Sequence, residues 1–374
     1  MPLPGGCNIG TRPVDLHLRG FEALGAAVNI TPDGVVHAVA TGPGGRLRGA
    51  GRHRLRFPSV GATHAIIMAA ALAEGNTVLE NAAAEPEVAD LAAMLNACGA
   101  SVRGAGTSTV TVEGIGGRGQ LGGGLGSDVS GLGGCTHVAI PDRIEAGTML
   151  VAAAVTGSTL TLSPVIPAHL EATVGVLRAA GCEVETVRGV PGSTPGRGGS
   201  QHVSYYDGAP GETLRISPSG GPGIFGGRGA GSRVALRSVN FTTEPYPGVP
   251  TDMQPQLCVM NAVACGTATV RETVFENRFS HIRELAKMGA DARLVTGEGA
   301  EKNRVVAISG TGGMPLTGAD VRGSDLRASA ALVLAGLAAE GVTRVEGLRH
   351  LDRGYEGLDD KLVRLGAVVR RNPM

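Results

Sequence analysis

The sequence predicts an α/β protein built of repeated β-α-β-α-β-β units. The same order of patterns recurs in four copies along 374 residues, and the copies begin at Ser59, Asp142, Thr251 and Asp325. In each copy an apolar helix ends near a glycine, a short strand follows, and a second helix also ends near a glycine. The first helices are apolar on almost every face, and such helices must be enclosed. We therefore expect inside-out α/β domains, with these helices in the interior and the sheets outside.

Glycines mark the ends of the predicted helices, because a left-handed residue commonly follows a helix. In the first copy the pattern predicts a helix from His64 to Glu74, a strand from Thr77 to Glu80, and a second helix from Pro86 to Cys98. The glycines that end the predicted helices of the four copies are Gly75, Gly99, Gly157, Gly181, Gly266, Gly289, Gly341 and Gly366.

A partial unit precedes the first complete copy. Residues 15–26 have the pattern of the rear half of a unit, so the chain carries five rear halves and four front halves. We therefore expect the chain to begin in the middle of a unit. Two glycine-rich tracts, 114–134 and 190–232, interrupt the repeat and show little periodicity. We interpret both tracts as solvent-exposed, flexible insertions.

Composition excludes several classes of partner. The formal net charge is zero, so bulk electrostatics gives no reason to expect a nucleic acid or a membrane surface as partner. No apolar run approaches the ~18 residues that a membrane span requires, and the N-terminus lacks a signal-peptide pattern. We expect a cytoplasmic protein with small-molecule partners. Among the 33 basic residues, Lys287, Lys302 and Lys361 are the lysines, so anion binding would depend on arginine.

Six cysteines are widely spread, and no two form a Cys-x-x-Cys pair. The spacing predicts neither a disulfide framework nor a metal site. Cys7 differs from the others because it lies among flexible glycines, with Arg12 five residues further on, and a nearby cation adjusts the pKa of a thiol. We interpret Cys7 as a candidate functional thiol, whereas the surroundings of Cys135 indicate no role. The remaining four are expected to be buried small apolar residues: Cys98, Cys182, Cys258 and Cys265.

Eight blocks, in order along nearly the whole chain, resemble one family, the UDP-N-acetylglucosamine 1-carboxyvinyltransferases. The first block carries the Gly-Gly-Cys loop of residues 5–7 and the Arg-Pro-Val-Asp-Leu run of residues 12–16. The sister enzymes that make enolpyruvylshikimate phosphate share the fold of this family but lack the cysteine loop. The blocks are residues 3–17, 58–63, 80–87, 141–148, 250–254, 272–279, 325–329 and 350–356.

The resemblance implies the enolpyruvyl transferase fold, in which two inside-out α/β barrel domains of three units each bind substrates between them. On this basis residues 1–140 are the first domain, which is incomplete, and residues 141–374 are the second domain. Asp142, Asp252 and Asp325 head the three units of the second domain. The family also carries a Lys-Asn pair and a nucleotide-binding arginine ahead of the cysteine loop, and this sequence has no counterpart for them.

The resemblance also implies a reaction. The enolpyruvyl group of phosphoenolpyruvate is transferred to the 3-hydroxyl of UDP-N-acetylglucosamine with release of phosphate, which opens peptidoglycan synthesis and needs no cofactor. The chemistry requires an acid for C3, a base for the hydroxyl and fixed cations for the anionic groups. By resemblance Cys7 is the acid and the target of fosfomycin, and Asp252 is the base. From the residues alone Asp252 is as readily a helix N-cap, because it precedes a helical pattern.

Four arginines lie in matching blocks. By resemblance Arg12 and Arg353 contact the phosphate of phosphoenolpyruvate, and Arg278 and Arg327 hold its carboxylate or close the domains. The alternative for each arginine is a solvated surface ion pair.

A second group of residues is expected at the nucleotide sugar. The amides at 59–61 begin a helix and suit a diphosphate. Glu145, Asp325 and His17 are candidate supporting groups, and His17 is as readily a packed histidine. The residues that the resemblance places at the UDP-sugar are Arg12, Pro13, Val14, Asp15, Leu16, Ser59, Val60, Gly61, Asp252 and Val274.

A different class of protein remains open. Without the Lys-Asn pair, the chain could be a catalytically silent nucleotide-sugar-binding or regulatory relative that needs a partner chain. Retention of Cys7, Asp252 and the four arginines favours the transferase. Because one lost charge-assisted contact lowers a rate by about two decades, we expect weak phosphate release from the chain as given.

Overall fold

The computed structural model describes residues 14–116, 131–187, 212–218, 236–295 and 304–372. The chain divides into two compact units, with the boundary between Ile140 and Pro141. Most of the two predicted insertions lies outside the described residues. Within those residues, no helix combines the length and the apolar character that a membrane span requires.

The described part of the first unit contains one full β-α-β-α-β-β repeat, preceded by a helix and a hairpin. The elements are α1 (Asp15–Ala23), β1 (Ala26–Ile30), β2 (Val36–Ala40), β3 (Gly51–Arg54), α2 (Val60–Leu72), β4 (Glu74–Glu80), α3 (Pro86–Ala97), β5 (Ser101–Arg103) and β6 (Thr109–Ile115).

A four-stranded sheet of order β3-β4-β6-β5 forms the outer layer of this repeat. Strand β3 pairs parallel to β4, and β6 pairs antiparallel to both β4 and β5. Helix α2 connects the parallel pair and buries Ile66, Ile67 and Ala70 against the sheet. Helix α1 packs on α2 at Gly20, where a Cβ atom would lie 2.3 Å from Cδ1 of Ile66. A larger residue at position 20 would displace the buried Ile66 side chain, so glycine suits this close approach.

The second unit contains three further pairs of helices with their strands. The elements are α4 (Arg143–Thr156), β7 (Leu160–Leu162), α5 (Glu171–Ala179), β8 (Cys182–Val187), β9 (Thr213–Pro218), β10 (Phe241–Thr242), α6 (Gln254–Val263), β11 (Thr267–Arg271), α7 (Ser280–Lys287), β12 (Asp291–Leu294), β13 (Val305–Ser309), β14 (Leu316–Thr317), β15 (Asp320–Arg322), α8 (Leu326–Leu337), β16 (Ala339–Glu340), β17 (Arg344–Glu346) and α9 (Leu358–Arg364).

The repeat predicted from the sequence is confirmed by the sheets. The order β10-β11-β13-β12 has one parallel and two antiparallel pairings, as does β3-β4-β6-β5 in the first unit. All eight glycines have positive φ, from 64° at Gly157 to 103° at Gly181. The predicted helix end at the glycine is confirmed for Gly99, Gly157, Gly181, Gly289 and Gly366. It is wrong for Gly75, Gly266 and Gly341, because α2, α6 and α8 end earlier and Gly75 lies within β4. Helix α2 begins earlier than predicted, at Val60, because the Ser59 side chain accepts a hydrogen bond from the amide of Ala62.

One predicted irregular tract contains a strand. Residues 190–232 were expected to be an insertion without regular structure, but residues 213–218 within them form β9 in the sheet β7-β9-β8. Leu214 and Ile216 alternate with exposed Arg215, and both are buried against the core of the second unit. The prediction was wrong here because this short alternation is surrounded by glycine and proline.

The apolar helices α4, α6 and α8 pack on one another in the second unit. All ten residues of α6 are buried, so the prediction of an enclosed helix is confirmed for α6. It is wrong for α2 among the described residues, because Met68 and Leu72 are 46% and 53% exposed. The expected burial of cysteines holds for Cys182 and Cys258. It is wrong for Cys265, which lies beyond the end of α6 and is exposed.

Candidate functional site

Asp252 lies in a 3-10 turn, Thr251–Met253, directly before α6. Its side chain does not cap that helix, since α6 has Met253 at the N-cap position and no side-chain cap. Asp142, which heads another unit, does cap its helix, because it accepts hydrogen bonds from the amides of Ile144 and Glu145. The capping alternative for Asp252 is therefore wrong. Its carboxylate is turned toward other groups.

Two arginines hold the Asp252 carboxylate. Nη2 of Arg278 donates to Oδ1 at 2.6 Å, and Nη2 of Arg327 donates to Oδ2 at 3.3 Å. The arginine side chains are 3% and 12% exposed, whereas that of Asp252 is 42% exposed. The two buried arginines therefore hold the Asp252 carboxylate in a position where it is accessible to solvent.

A second carboxylate balances the buried charge. Asp325 is 2% exposed in its side chain, and its Oδ1 lies 3.7 Å from Nη1 of Arg278. The same oxygen accepts hydrogen bonds from the amides of Arg327 and Ala328 as the N-cap of α8. Asp325 thus supports both arginines. Its charge balances that of Arg278, and its capping hydrogen bonds fix the start of α8, which carries Arg327.

The electrostatic environment keeps Asp252 ionised. Partial desolvation would raise the pKa of this carboxyl group, but the guanidinium groups of Arg327 and Arg278, with a smaller contribution from Arg143, lower it below its ordinary value. Asp252 is therefore a carboxylate at neutral pH and can accept a hydrogen bond or a proton. Its basicity increases if an incoming anion takes up the charge of an arginine.

Arg327 rests on a buried polar cluster that the sequence did not reveal. Its guanidinium carbon lies 5.2 Å from the centre of the Tyr355 ring. The Tyr355 hydroxyl lies 2.9 Å from Oγ1 of Thr148 and accepts from Nε2 of Gln256 at 3.2 Å. Burial raises the pKa of Tyr355, although the Arg327 charge opposes the shift. The hydroxyl contacts hold the Tyr355 ring in place, and the Arg327 guanidinium group lies over the face of that ring.

Glu272 is a second group that sequence reasoning missed, although it lies in a matching block. This fully buried side chain accepts from Oγ1 of Thr251 at 3.0 Å and from the amides of Val274 and Phe275 at 2.8 and 3.1 Å. Arg278 also donates to the carbonyl of Thr251. Glu272 therefore holds the turn that carries Asp252 beside Val274, a residue expected at the nucleotide sugar.

His281 completes the buried surroundings of Arg278. Its side chain is 0% exposed, and neither ring nitrogen has a hydrogen-bond partner among the residues that the structure describes. Burial lowers the pKa of His281 to about 4, with the Arg278 charge acting in the same direction and Asp325 opposing it. The ring is therefore neutral at pH 7 and adds no charge to the cluster.

Two other predicted residues of the second unit, Arg353 and Glu145, have no contact with Asp252 among those described above. Arg353 is exposed, two residues before Tyr355. Glu145, on the first turn of α4, pairs with Lys361 on α9.

In the first unit the structure brings together the starts of α1 and α2. The His17 ring lies over Gly61, where a Cβ atom would be 3.0 Å from Nε2. Oδ2 of Asp15 pairs with Nη2 of Arg56 at 2.5 Å, while its Oδ1 is buried without a hydrogen-bond partner among the described residues. Leu16 is buried in the core, next to the helix that Ser59 and Val60 begin.

Partial desolvation lowers the pKa of His17, and the nearby Asp15 charge opposes the shift.

Val14 precedes α1 as its N-cap residue. Cys7, Arg12 and Pro13 lie outside the described residues. Within the described ranges no group of three or more His, Cys, Asp or Glu side chains could hold a metal ion.

Comparisons with known proteins agree with this architecture. The model of the EPSP synthase (3-phosphoshikimate 1-carboxyvinyltransferase) family matches residues 1–362. UDP-N-acetylglucosamine 1-carboxyvinyltransferase 2 of Prochlorococcus marinus is 44% identical over 371 residues, which is 99% of this chain and 72% of that protein. The UDP-N-acetylglucosamine 1-carboxyvinyltransferase of Gloeobacter violaceus is 45% identical over 372 residues, which is 100% of this chain and 67% of that protein.

Solved structures show the same fold. The enolpyruvyl transferase NikO from Streptomyces tendae superposes with a TM-score of 0.72 at 26% identity, covering 97% of this chain and 73% of its own. EPSP synthase from Acinetobacter baumannii superposes with a TM-score of 0.62 at 20% identity, covering 95% and 71%. The repeated units and their sheets thus define the enolpyruvyl transferase class. Within that class, the chain belongs to the EPSP synthase family.

Proposed function

We propose that this chain transfers the enolpyruvyl group of phosphoenolpyruvate to the 3-hydroxyl of UDP-N-acetylglucosamine and releases phosphate. The observation that carries the proposal is the Asp252 carboxylate, ionised and half exposed on two buried arginines. The relatives that are 44% and 45% identical carry the name of this activity. Their names, rather than the fold alone, favour the nucleotide sugar as acceptor over 3-phosphoshikimate.

Asp252 would act as the base. A carboxylate whose pKa is lowered accepts a proton only when a strong driving force develops, and that force arises as C3 of phosphoenolpyruvate is protonated and C2 becomes electrophilic. The sugar 3-hydroxyl then attacks C2 while its proton passes to Asp252. Phosphate then leaves C2 and a proton leaves the C3 methyl group, which restores the double bond and gives the enolpyruvyl ether.

Arg327 would receive an anionic group of phosphoenolpyruvate. Its Nε and Nη1 are buried donors without a hydrogen-bond partner among the described residues, and such donors normally require one. A phosphate or carboxylate at these nitrogens would share the charge that now acts on Asp252. The pKa of Asp252 would rise, so substrate binding itself would make the base stronger.

The first unit would hold the nucleotide sugar at the starts of α1 and α2. The first turn of α2, next to Ser59, is a positive helix end, and such an end suits a diphosphate. Cys7 would protonate C3, and Arg12 would contact the phosphate with Arg353. These three roles rest on the resemblance of their sequence blocks.

A phosphate-release assay tests the proposal. The chain is incubated with phosphoenolpyruvate and UDP-N-acetylglucosamine, and the enolpyruvyl ether is identified by mass spectrometry; 3-phosphoshikimate is the control acceptor. We expect product with the nucleotide sugar and none with 3-phosphoshikimate. Release with 3-phosphoshikimate alone would contradict the proposed acceptor.

The silent-relative alternative predicts a different pattern. Such a chain would bind UDP-N-acetylglucosamine, as measured by calorimetry, but would release no phosphate at any enzyme concentration, and Asp252→Asn would change nothing in the assay. Slow release that Asp252→Asn abolishes would instead support the transferase.

A further inference from the structure

Cys98 and Cys135 form a thiol pair in the first unit. Their sulfur atoms lie 3.2 Å apart, although the residues are separated by 37 positions in the chain. Cys98 is the C-cap residue of α3 and is half buried, and Cys135 is exposed. Two sulfurs at this distance are in hydrogen-bond contact, and only a small movement separates them from the ~2.0 Å of a disulfide bond.

The contact is part of a longer docked segment. Residues 132–137 run along α3 in the opposite direction: the amide of Gly133 donates to the carbonyl of Cys98 at 2.8 Å, and Nε2 of His137 lies 2.9 Å from Oδ1 of Asp90. Between these two contacts, Sγ of Cys135 lies 3.8 Å from the carbonyl oxygen of Met94. Residues 90, 94 and 98 are spaced by four, so they share one face of the helix.

Apolar packing holds the same segment. Leu132 packs against the core cluster that includes Leu95 of α3. The thiol pair is thus flanked by an apolar contact, a backbone hydrogen bond and a histidine-aspartate contact. Because these contacts fix the backbone on both sides, the sulfurs are held together rather than meeting by chance.

We propose that Cys98 and Cys135 are a redox-active pair that forms a reversible disulfide and locks the segment 132–137 onto α3. Hydrogen peroxide is the oxidant. The exposed sulfur of Cys135 attacks one peroxide oxygen, which gives a sulfenic acid and releases one water. Sγ of Cys98 then attacks the oxidised sulfur and displaces hydroxide, which leaves as a second water. The two thiols lose two electrons and two protons, and a dithiol reductant reverses the change.

The contact between the two sulfurs orders the two steps. Its thiol donates a hydrogen bond to the Cys135 sulfur, and this bond raises the pKa of Cys98. The Cys98 thiol thus donates toward the Cys135 sulfur, which is the nucleophile in the first step, and after that step the Cys98 sulfur is already in contact with the oxidised Cys135. In a reducing compartment such a pair is a thiol pair at rest and a disulfide under oxidative stress.

Peptide mapping of the full chain tests this proposal. The protein is treated with hydrogen peroxide, blocked with an alkylating agent, digested without reductant and analysed by mass spectrometry. We expect one cross-linked peptide pair containing Cys98 and Cys135, which disappears after treatment with dithiothreitol. Cys98→Ser and Cys135→Ser should each abolish it. Cys265→Ser, which removes an exposed cysteine of the second unit, should leave it unchanged.

A second measurement addresses the locking of the segment. Amide hydrogen exchange of residues 132–137 should slow on oxidation in the wild-type chain and in Cys265→Ser, and should not change in Cys135→Ser. Two results would overturn the proposal: full alkylation of Cys98 and Cys135 after peroxide treatment, or oxidation of Cys135 to sulfinic acid at the same rate with and without Cys98.

Discussion

Nη2 of Arg278 donates a 2.6 Å hydrogen bond to Oδ1 of Asp252. The arginine is 3% exposed and the aspartate 42%, so the two partners belong to different environments. A buried cation that faces two carboxylates, Asp252 and Asp325, is neutralised from within the fold. The buried arginines therefore orient the Asp252 carboxylate, and its exposed part remains accessible to a ligand. Asp252 is therefore expected to act on substrate, whereas buried Arg278 and Asp325 are expected to orient it.

Asp252→Asn should remove the proposed base and keep the shape of the turn. We expect phosphate release to fall by about two to four decades, because an amide cannot take the hydroxyl proton. Binding of UDP-N-acetylglucosamine, measured by calorimetry, should change far less. Asp320→Asn is the matched control, since Asp320 forms an ion pair with Arg344 in which both side chains are 72% exposed. Equal rates in Asp252→Asn and wild type would refute the assignment of the base.

Tyr355→Phe should loosen Arg327 without removing it. The substitution deletes the hydroxyl that Thr148 and Gln256 contact, and it leaves the ring on which the guanidinium group lies. We expect KM for phosphoenolpyruvate to rise several-fold, because the anion-binding donors lose their fixed position. We expect kcat to fall less than in Asp252→Asn.

Arg327→Gln tests the effect of the Arg327 charge on the pKa of Asp252 through the pH profile of the reaction. The Arg327 charge is the largest of the influences that lower the pKa of Asp252. Its removal should raise that pKa, so the acid limb of kcat/KM should move to higher pH. Arg344→Gln, which removes an exposed arginine, should leave the limb in place. An unmoved limb in Arg327→Gln would show that Asp252 is not the group that titrates.

Arg278→Met tests the structural half of the cluster. Removing one partner of a buried ion pair leaves an uncompensated charge, here that of Asp325, and typically costs about 3 kcal/mol. We expect a loss of that size in the free energy of unfolding, measured by urea denaturation. Arg344→Met breaks an exposed pair and should change the same quantity by less than about 1 kcal/mol. Similar losses in both variants would argue that Arg278 has no structural role beyond that of a surface arginine.

The repeat was predictable from local patterns, and the main charges of the site were named through the family resemblance. Glycine stops such as Gly181 and Gly289 follow from backbone conformation, and Asp252, Arg278 and Arg327 lie in short blocks that the resemblance identifies. The supports of these residues were not predictable, because they come from distant parts of the chain: Tyr355 meets Thr148 across 207 positions. Polar residues within an apolar helix, such as Gln256, were the available signal.

The contact between Cys98 and Cys135 was not predictable for a related reason. Cys98 follows a helical pattern and Cys135 follows a glycine-rich tract, and neither pattern indicates the other residue. Their contact depends on the path of residues 132–137 along α3, which is set by Leu132 and His137. Pairings between separated segments follow from the packed structure, whereas periodicity describes one segment at a time.

His281 predicts how stability depends on pH. Its pKa is about 4 in the folded chain, against 6.5 for an ordinary histidine. Below pH 6.5 the unfolded chain binds a proton that the folded chain does not accept until about pH 4. The stabilisation is therefore complete above pH 6.5 and is lost as the pH falls through this window, by up to about 3 kcal/mol. His281→Leu should lose less stability between pH 7 and pH 4.5 than the wild type, as measured by urea denaturation. His37→Leu, which replaces an exposed histidine, should follow the wild type, and a His281→Leu curve parallel to both would contradict the assignment of a buried neutral ring.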